Sequence, residues 1–109
     1  MQEQKLIGDF VALPESTLDS QQWKAFTAST CRVYTTMLRK YTRWGRNANG
    51  RVQWRQDELA KEAGFTRQTV ITCIGDLIEA KWISVWEPGG RWIEGTTYEM
   101  APEVANGKE

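Results

Sequence analysis

The sequence predicts a mainly helical single domain that carries a β-hairpin towards its C-terminal side, and three observations predict it. Apolar residues recur at three- and four-residue steps over about 28–44 and again over 67–80, the period of helices with one buried face. Between these stretches, "RQDELAKEAGFTRQTV" joins two helical patterns through a single glycine, Gly64. After them, "WISVW" and "TTYEM" read as strands bridged by the glycine-bearing loop "EPGGRWIEG". With 109 residues, 40% apolar and 26% charged, the chain can enclose one hydrophobic core and not two. The expected organisation is an N-terminal arm at 1–13, the domain at 14–100 and a flexible tail at 101–109.

The elements follow in order. Leu6, Ile7, Phe10, Val11 and Leu13 form a short apolar cluster suited to an arm packed on the domain. Pro14 opens a short helix, where its missing N–H costs little, and Leu18, Trp23 and Phe26 are expected to face inward. Thr27 is a good N-cap for the helix at 28–44. Its apolar stripe is Cys31, Tyr34, Met37, Leu38 and Tyr41. Arg32, Thr36, Arg39 and Arg43 line up at i, i+4, i+7 and i+11 as a basic stripe without an acidic neighbour in sequence. "GRNANG" breaks the helix with residues that tolerate a left-handed backbone, and "RVQW" reads as a small strand. A compact helix then carries Leu59, Ala60 and Ala63 inward and ends at Gly64; Thr66 caps the next, at 67–80. The last residues, "APEVANGKE", are polar and are expected to fray.

Composition excludes several functions. No apolar run approaches the roughly 20 residues of a membrane span. The first residues carry no basic segment followed by an apolar one, so a membrane role is not expected and the cytoplasm is the expected location. There is no histidine, which removes the commonest general base and the commonest zinc ligand together. Cys31 and Cys73 have no CxxC or metal spacing and read as small buried apolar residues. Asp57, Glu58 and Glu62 fall in the first two turns of a helix, where negative charge suits the helix dipole. No nucleophile–base pair is visible, and "PGGRWIEG" lacks the lysine and strand-to-helix context of a phosphate-binding loop. Neither an enzyme nor a cofactor nor a metal is expected.

The charges sum to zero, 14 basic against 14 acidic residues, but they are segregated. From Gln21 to Gln56 there is no acid, while Lys24, Arg32, Arg39, Lys40, Arg43, Arg46, Arg51 and Arg55 lie inside that span. A neutral total can hide a positive face, and a polyanion responds to the local field.

Two short helices joined by a tight turn and followed by a two-stranded hairpin resemble the winged helix-turn-helix family of DNA-binding domains. "ELAKEAGFTRQTV" carries the resemblance: Ala60 is small where the helices cross, and Gly64 supplies the backbone the turn needs. Phe65, Val70, Cys73, Ile74 and Leu77 close the core behind the second helix. "LIEAKWISVW" and "TTYEM" match the two sides of the wing, and the upstream part is similar to small domains from phage- and plasmid-borne regulators and replication proteins. The resemblance implies that the helix at 67–80 lies in a major groove with its first residues on base edges. Arg67, Gln68, Ile71 and Thr72 are then the candidate base contacts, Arg pairing with guanine and Gln with adenine at roughly 1–3 kcal/mol of discrimination each. Arg55, Gln56, Thr69 and Gly75, with Arg39, Arg43, Arg46 and Arg51, are the candidate backbone contacts. Thr69 also suits the cap of the helix. In the wing, Arg91 is placed to approach a minor groove, while Trp92 either packs back on the hairpin or touches DNA.

Three positions depart from the family pattern. Ile71 suits a thymine methyl group or, alternatively, a protein interface. Gly75 costs roughly 1 kcal/mol against Ala inside a helix, which points to close approach of another backbone. Lys81 stands where the family often has glycine. Trp23, Trp54 and Trp82 read as core fillers at the ends of elements. The leading expectation is a sequence-specific double-stranded DNA binder, a homodimeric transcriptional regulator. A plasmid or phage replication, partition or transfer accessory protein is the alternative in the same class. A winged-helix module that binds a protein partner instead of DNA is the rival from another class.

Overall fold

The computed structural model describes residues 13–41, 50–87 and 95–105. Helices α1 (Glu15–Leu18) and α2 (Gln21–Ala25) precede the long α3 (Ala28–Lys40), and strand β1 (Arg51–Trp54) leads into α4 (Gln56–Ala63) and α5 (Arg67–Glu79). Strands β2 (Ile83–Glu87) and β3 (Thr96–Met100) and the single turn α6 (Pro102–Ala105) complete the chain. No described helix is long and apolar enough to cross a membrane.

The lead-in differs from the single helix expected after Pro14. It breaks at Asp19–Ser20 because the Ser20 hydroxyl starts a new helix, accepting the Trp23 N–H at 3.2 Å. The register then turns Leu18 outward, 37% exposed, and buries Thr17 in its place. Thr17 is buried at no polar cost, since its hydroxyl donates to the Val104 carbonyl of α6. The same contact bears on the expected tail: 101–105 are ordered against the domain, while 106–109 lie outside the described residues. Ala101 N–H bonds the Trp82 carbonyl at 2.9 Å, and Ala105 is buried, so 101–105 belong to the domain. Leu13, expected in the arm, also packs on the core.

Helix α3 is the spine of the core. Thr27 accepts the Thr30 N–H at 3.2 Å, and Val33, Tyr34, Met37 and Leu38 are fully buried, with Tyr41 just beyond. The expected end of this helix at 44 lies outside the described residues. Cys73 is buried and Cys31 half-buried, and both are free thiols; burial raises the Cys31 thiol above its ordinary pKa. Trp82 knits the lead-in to the spine. It stacks on Trp23 at 6.1 Å between ring centroids and meets Tyr34 and Phe26 edge-on at 5.0 and 5.1 Å.

The strand at "RVQW" is not isolated. It joins the hairpin in a three-stranded antiparallel sheet of order β1-β3-β2, with Arg51 opposite Glu99 and Ile83 opposite Met100. Period-2 alternation turns Val52, Trp54, Ile83, Tyr98 and Met100 to the core. An irregularity between Val85 and Glu87 leaves Trp86 as the extra residue of β2.

The two helix ends that frame α5 use different residues for one conformation. Gly64 takes φ 82° at the end of α4, at no steric cost. Lys81 takes φ 65° after α5, and there the bonds Trp82 N–H to Leu77 C=O (3.0 Å) and Lys81 N–H to Ile78 C=O (2.9 Å) complete a Schellman closure. The closure forms without the glycine usual at that point.

Candidate nucleic-acid interface

Helix α5 is bolted to the core by Val70, Cys73, Ile74 and Leu77, which are all buried. With that face committed, the 3.6-residue period turns Arg67, Gln68, Ile71, Thr72 and Gly75 to the outside. The four candidate base contacts therefore share one exposed face of one helix. Ile71 is 40% exposed. Thr72 Oγ1 donates back to the Gln68 carbonyl at 3.3 Å, which leaves its hydroxyl oxygen able to accept. A Cβ added at Gly75 would meet nothing within 4 Å, so nothing in the described residues requires a glycine there; the position leaves an open, flat surface.

Thr69 sits in the cap. Thr66 Oγ1 accepts the Thr69 N–H at 3.2 Å and donates to Thr69 Oγ1 at 3.1 Å. At the same end, Arg67 Nε donates to Gln56 Oε1 at 3.1 Å, tying the first residue of α5 to the first residue of α4.

The charges on the two helices run in opposite senses. Helix α4 has Asp57 and Glu58 in its first turn and Lys61 in its last, the arrangement that complements a helix dipole. Helix α5 has no acid in its first turn and no base in its last. It starts with Arg67 and carries Asp76 and Glu79 near its end, opposed to its own dipole. Asp76 is engaged by Thr30 Oγ1 at 3.1 Å, a link between α3 and α5. The arginine adds to the positive N-terminal pole, so the beginning of α5 is the end suited to an anion.

In the described part of the basic span 21–56, several cations meet acids that lie outside the span. Arg39 pairs with Glu62 at 3.0 Å and Lys40 with Glu58 at 3.0 Å. Lys40 Nζ also donates to the Gln53 carbonyl at 2.6 Å and lies 4.1 Å from the centre of the Trp54 ring. Arg55 grips Asp57 with two hydrogen bonds, at 3.2 and 2.7 Å. That grip holds the Asp57 carboxyl below, and the Arg55 guanidinium above, their ordinary pKa values. Arg32 Nε donates to the Ala63 carbonyl at 2.6 Å, and its guanidinium lies over Phe65 at 5.8 Å. Thr36, placed in the basic stripe, is buried and donates to the Arg32 carbonyl. The acids absent from 21–56 come from α4, which packs against α3. Arg39 and Arg55 are thus each paired with a carboxylate of α4 at an exposed position.

Arg51 has a different neighbour. Its guanidinium carbon lies 3.5 Å from the centre of the Trp86 ring, on the outer face of the sheet. Trp86 is 51% exposed, at the irregularity of a strand whose residues from Ser84 to Glu87 are all exposed; the sequence carries no signal that separates it from the buried tryptophans. Val85 and Ile78 are exposed as well. Arg43, Arg46, Arg91 and Trp92 lie outside the described residues. Among the described residues no cluster of acids, cysteines or histidines could hold a metal ion.

No protein-family model matches the chain, and no curated protein sequence does. Solved structures match its fold. One described as "Structure of MDR initiator" aligns with TM-score 0.65 at 10% identity, covering 93% of this chain and 83% of its own. A second, "N-Terminal domain of DNA binding protein", aligns with TM-score 0.66 at 10% identity over 93% and 80%. A third, "Structure of Rep-DNA complex", aligns with TM-score 0.65 at 10% identity over 93% and 81%. At that identity the likeness is one of fold. The chain is a single winged helix-turn-helix domain in architecture, with α4 and α5 as the bihelical unit and β2 and β3 as the wing.

Proposed function

We propose that this domain binds double-stranded DNA through the first two turns of α5, within a replication-initiator type of protein. The observation that carries the reading is the exposed set Arg67, Gln68, Ile71 and Thr72, held on one face of a rigid helix whose N-terminal pole is free of acids. In a major groove, Arg67 and Gln68 supply hydrogen bonds to base edges and Ile71 an apolar contact for a thymine methyl. Gln56, Thr69 and the N-terminus of α5 lie where a phosphate strand would pass. Two of the matching folds are described by the words "initiator" and "Rep-DNA complex", which favours the replication reading over transcriptional regulation. Binding as a homodimer to a two-fold site belongs to the same proposal, as does the absence of catalysis.

The test is selection of bound duplexes from a random pool, followed by titration of the selected duplex at several salt concentrations. Each phosphate neutralised contributes about −0.9 to the log–log salt slope. Arg39, Lys40 and Arg55 are paired with carboxylates of α4, so each is expected to contribute less to the slope than Arg67. Recovery of no preferred duplex, even at low salt, would sink the reading.

A second reading rests on the outer face of α5 beyond its second turn. Ile71, Gly75 and Ile78 fall at i, i+4 and i+7 as an exposed, mostly apolar stripe beside Glu79. Acids there repel phosphate, so this half of the helix suits a protein partner. Salt-insensitive association with a protein and no duplex binding would favour it.

A further inference from the structure

Resting on the DNA-binding reading, we propose that Gln56 is a positioning residue that makes Arg67 selective for guanine, and that Gln56 itself touches no base. Arginine has five N–H donors in a planar fork, and two of its edges can meet a pair of acceptors. One of those edges uses Nε. Because Gln56 Oε1 accepts from Arg67 Nε at 3.1 Å, that edge is occupied. What remains is the end-on edge formed by Nη1 and Nη2, two parallel donors on a side chain whose direction is fixed from its side. Guanine presents the matching pair of acceptors, O6 and N7, in the major groove, and no other base presents two there.

The support is neutral, and that matters for the chemistry. The paired basic residues of the α3–α4 face meet carboxylates, which cancel their charge as they orient them. Gln56 orients Arg67 and leaves its charge intact. Gln56 is half-buried at the first position of α4, and among the described residues its side-chain nitrogen has no partner. One amide can therefore hold the reading arginine through its oxygen and a backbone phosphate through its nitrogen. The register of the protein on the duplex would then be coupled to the direction of the fork.

The experiment uses the full chain and the duplex it selects from a random pool, alongside the same duplex carrying 7-deazaguanine, which lacks the N7 acceptor, at each guanine in turn. Wild-type protein should lose about tenfold in affinity at one guanine, within the range of a bidentate base contact. Arg67→Ala should abolish that difference. Gln56→Ala should reduce it to about threefold or less, with thermal unfolding unchanged. Gln56→Glu retains an acceptor for Nε and should keep the tenfold preference, while weakening binding to both duplexes through its added negative charge. In the Arg67→Ala background, Gln56→Ala should not reduce the preference further. Gln56→Ala that weakens both duplexes equally would overturn the proposal, leaving Gln56 a phosphate contact alone. Insensitivity of the wild type to every substituted guanine would overturn it too, although the DNA-binding reading would stand. If no duplex is selected at all, both fall.

Discussion

Helices α4 and α5 are neighbours in sequence and packed against each other, yet their charges obey opposite rules. Helix α4 is arranged for its own stability: acids first, a lysine last, and carboxylates that reach out to Arg39, Lys40 and Arg55. Helix α5 is arranged against it, with Arg67 at the positive pole and Asp76 and Glu79 towards the negative one. Charges of the wrong sign at a helix end cost about 0.3–1 kcal/mol each, and a stability-optimised sequence would reverse them. The difference teaches where to look for function. A helix that supplies the fold satisfies its own charges, whereas a helix that meets an external anion keeps its charge unsatisfied.

The largest effect expected from breaking this contrast is at Arg67. Arg67→Ala should lower affinity for the selected duplex by roughly 10- to 100-fold, the value of a bidentate base contact of about 1–3 kcal/mol. Competition titration against a scrambled duplex would measure it. Arg39→Ala in the same assay should change affinity by less than about twofold, because that guanidinium is already paired with Glu62. Arg67→Ala should also leave thermal stability equal or slightly raised, since it removes a cation from a positive pole. Equal losses from the two substitutions would erase the distinction between the helices.

The next effect is on folding alone. Arg32 braces the turn between the two helices, through its bond to the Ala63 carbonyl and its contact with Phe65. A charge-assisted hydrogen bond, discounted for exposure, makes Arg32→Ala cost about 1–2 kcal/mol in chemical denaturation. Under conditions where the variant is folded, its intrinsic duplex affinity should be unchanged. The two arginines then separate cleanly, one acting on stability and the other on binding.

This pair also marks what the sequence made legible. Periodicity placed α3, α4 and α5; Gly64 and Thr66 marked the turn and the cap; and the committed apolar face of α5 decided which residues point outward. Those are local signals. Pairing of Arg39 with Glu62 spans two helices, and no count of charges within 21–56 contains it. The Gln56–Arg67 contact is invisible for the same reason, since residues at the starts of two helices meet only when the turn at Gly64 folds back. Thr17 and Val104 lie at opposite ends of the described chain, so polarity alone left 101–105 as tail. Lys81 shows a different limit: hydrogen bonds from two backbone amides hold a left-handed residue where glycine would be easier.

A smaller effect tests the paired side of the contrast by releasing one of its cations. Asp57→Asn frees Arg55 and should tighten duplex binding about two- to fivefold, with a salt slope steeper by about 0.9 if Arg55 reaches a phosphate. The gain should be constant from pH 5 to 8. Arg55 holds the folded-state pKa of Asp57 below its ordinary value of 3.8, so the carboxylate stays ionised throughout that window. Its contribution to the fold is present above 3.8 and lost only as pH falls through the depressed value. A wild-type affinity that rises between pH 8 and 5 would point to a group other than Asp57.

The smallest effect probes the far end of α5. Glu79 is exposed in the last turn, where its negative charge lies at the negative pole of the helix. Glu79→Gln should stabilise the domain by about 0.3–0.5 kcal/mol, a rise of roughly 2 °C in the unfolding midpoint for a domain of this size. Its influence on duplex affinity distinguishes two placements of the helix. If only the first two turns enter the groove, Glu79 lies outside the phosphate field, more than a Debye length of about 8–10 Å from the nearest strand, and affinity should move by less than twofold. A gain of fivefold or more would bring the last turn close to the backbone as well. The stripe of Ile71, Gly75 and Ile78 would then face DNA along its whole length, and the second half of α5 would no longer be a surface for a protein partner.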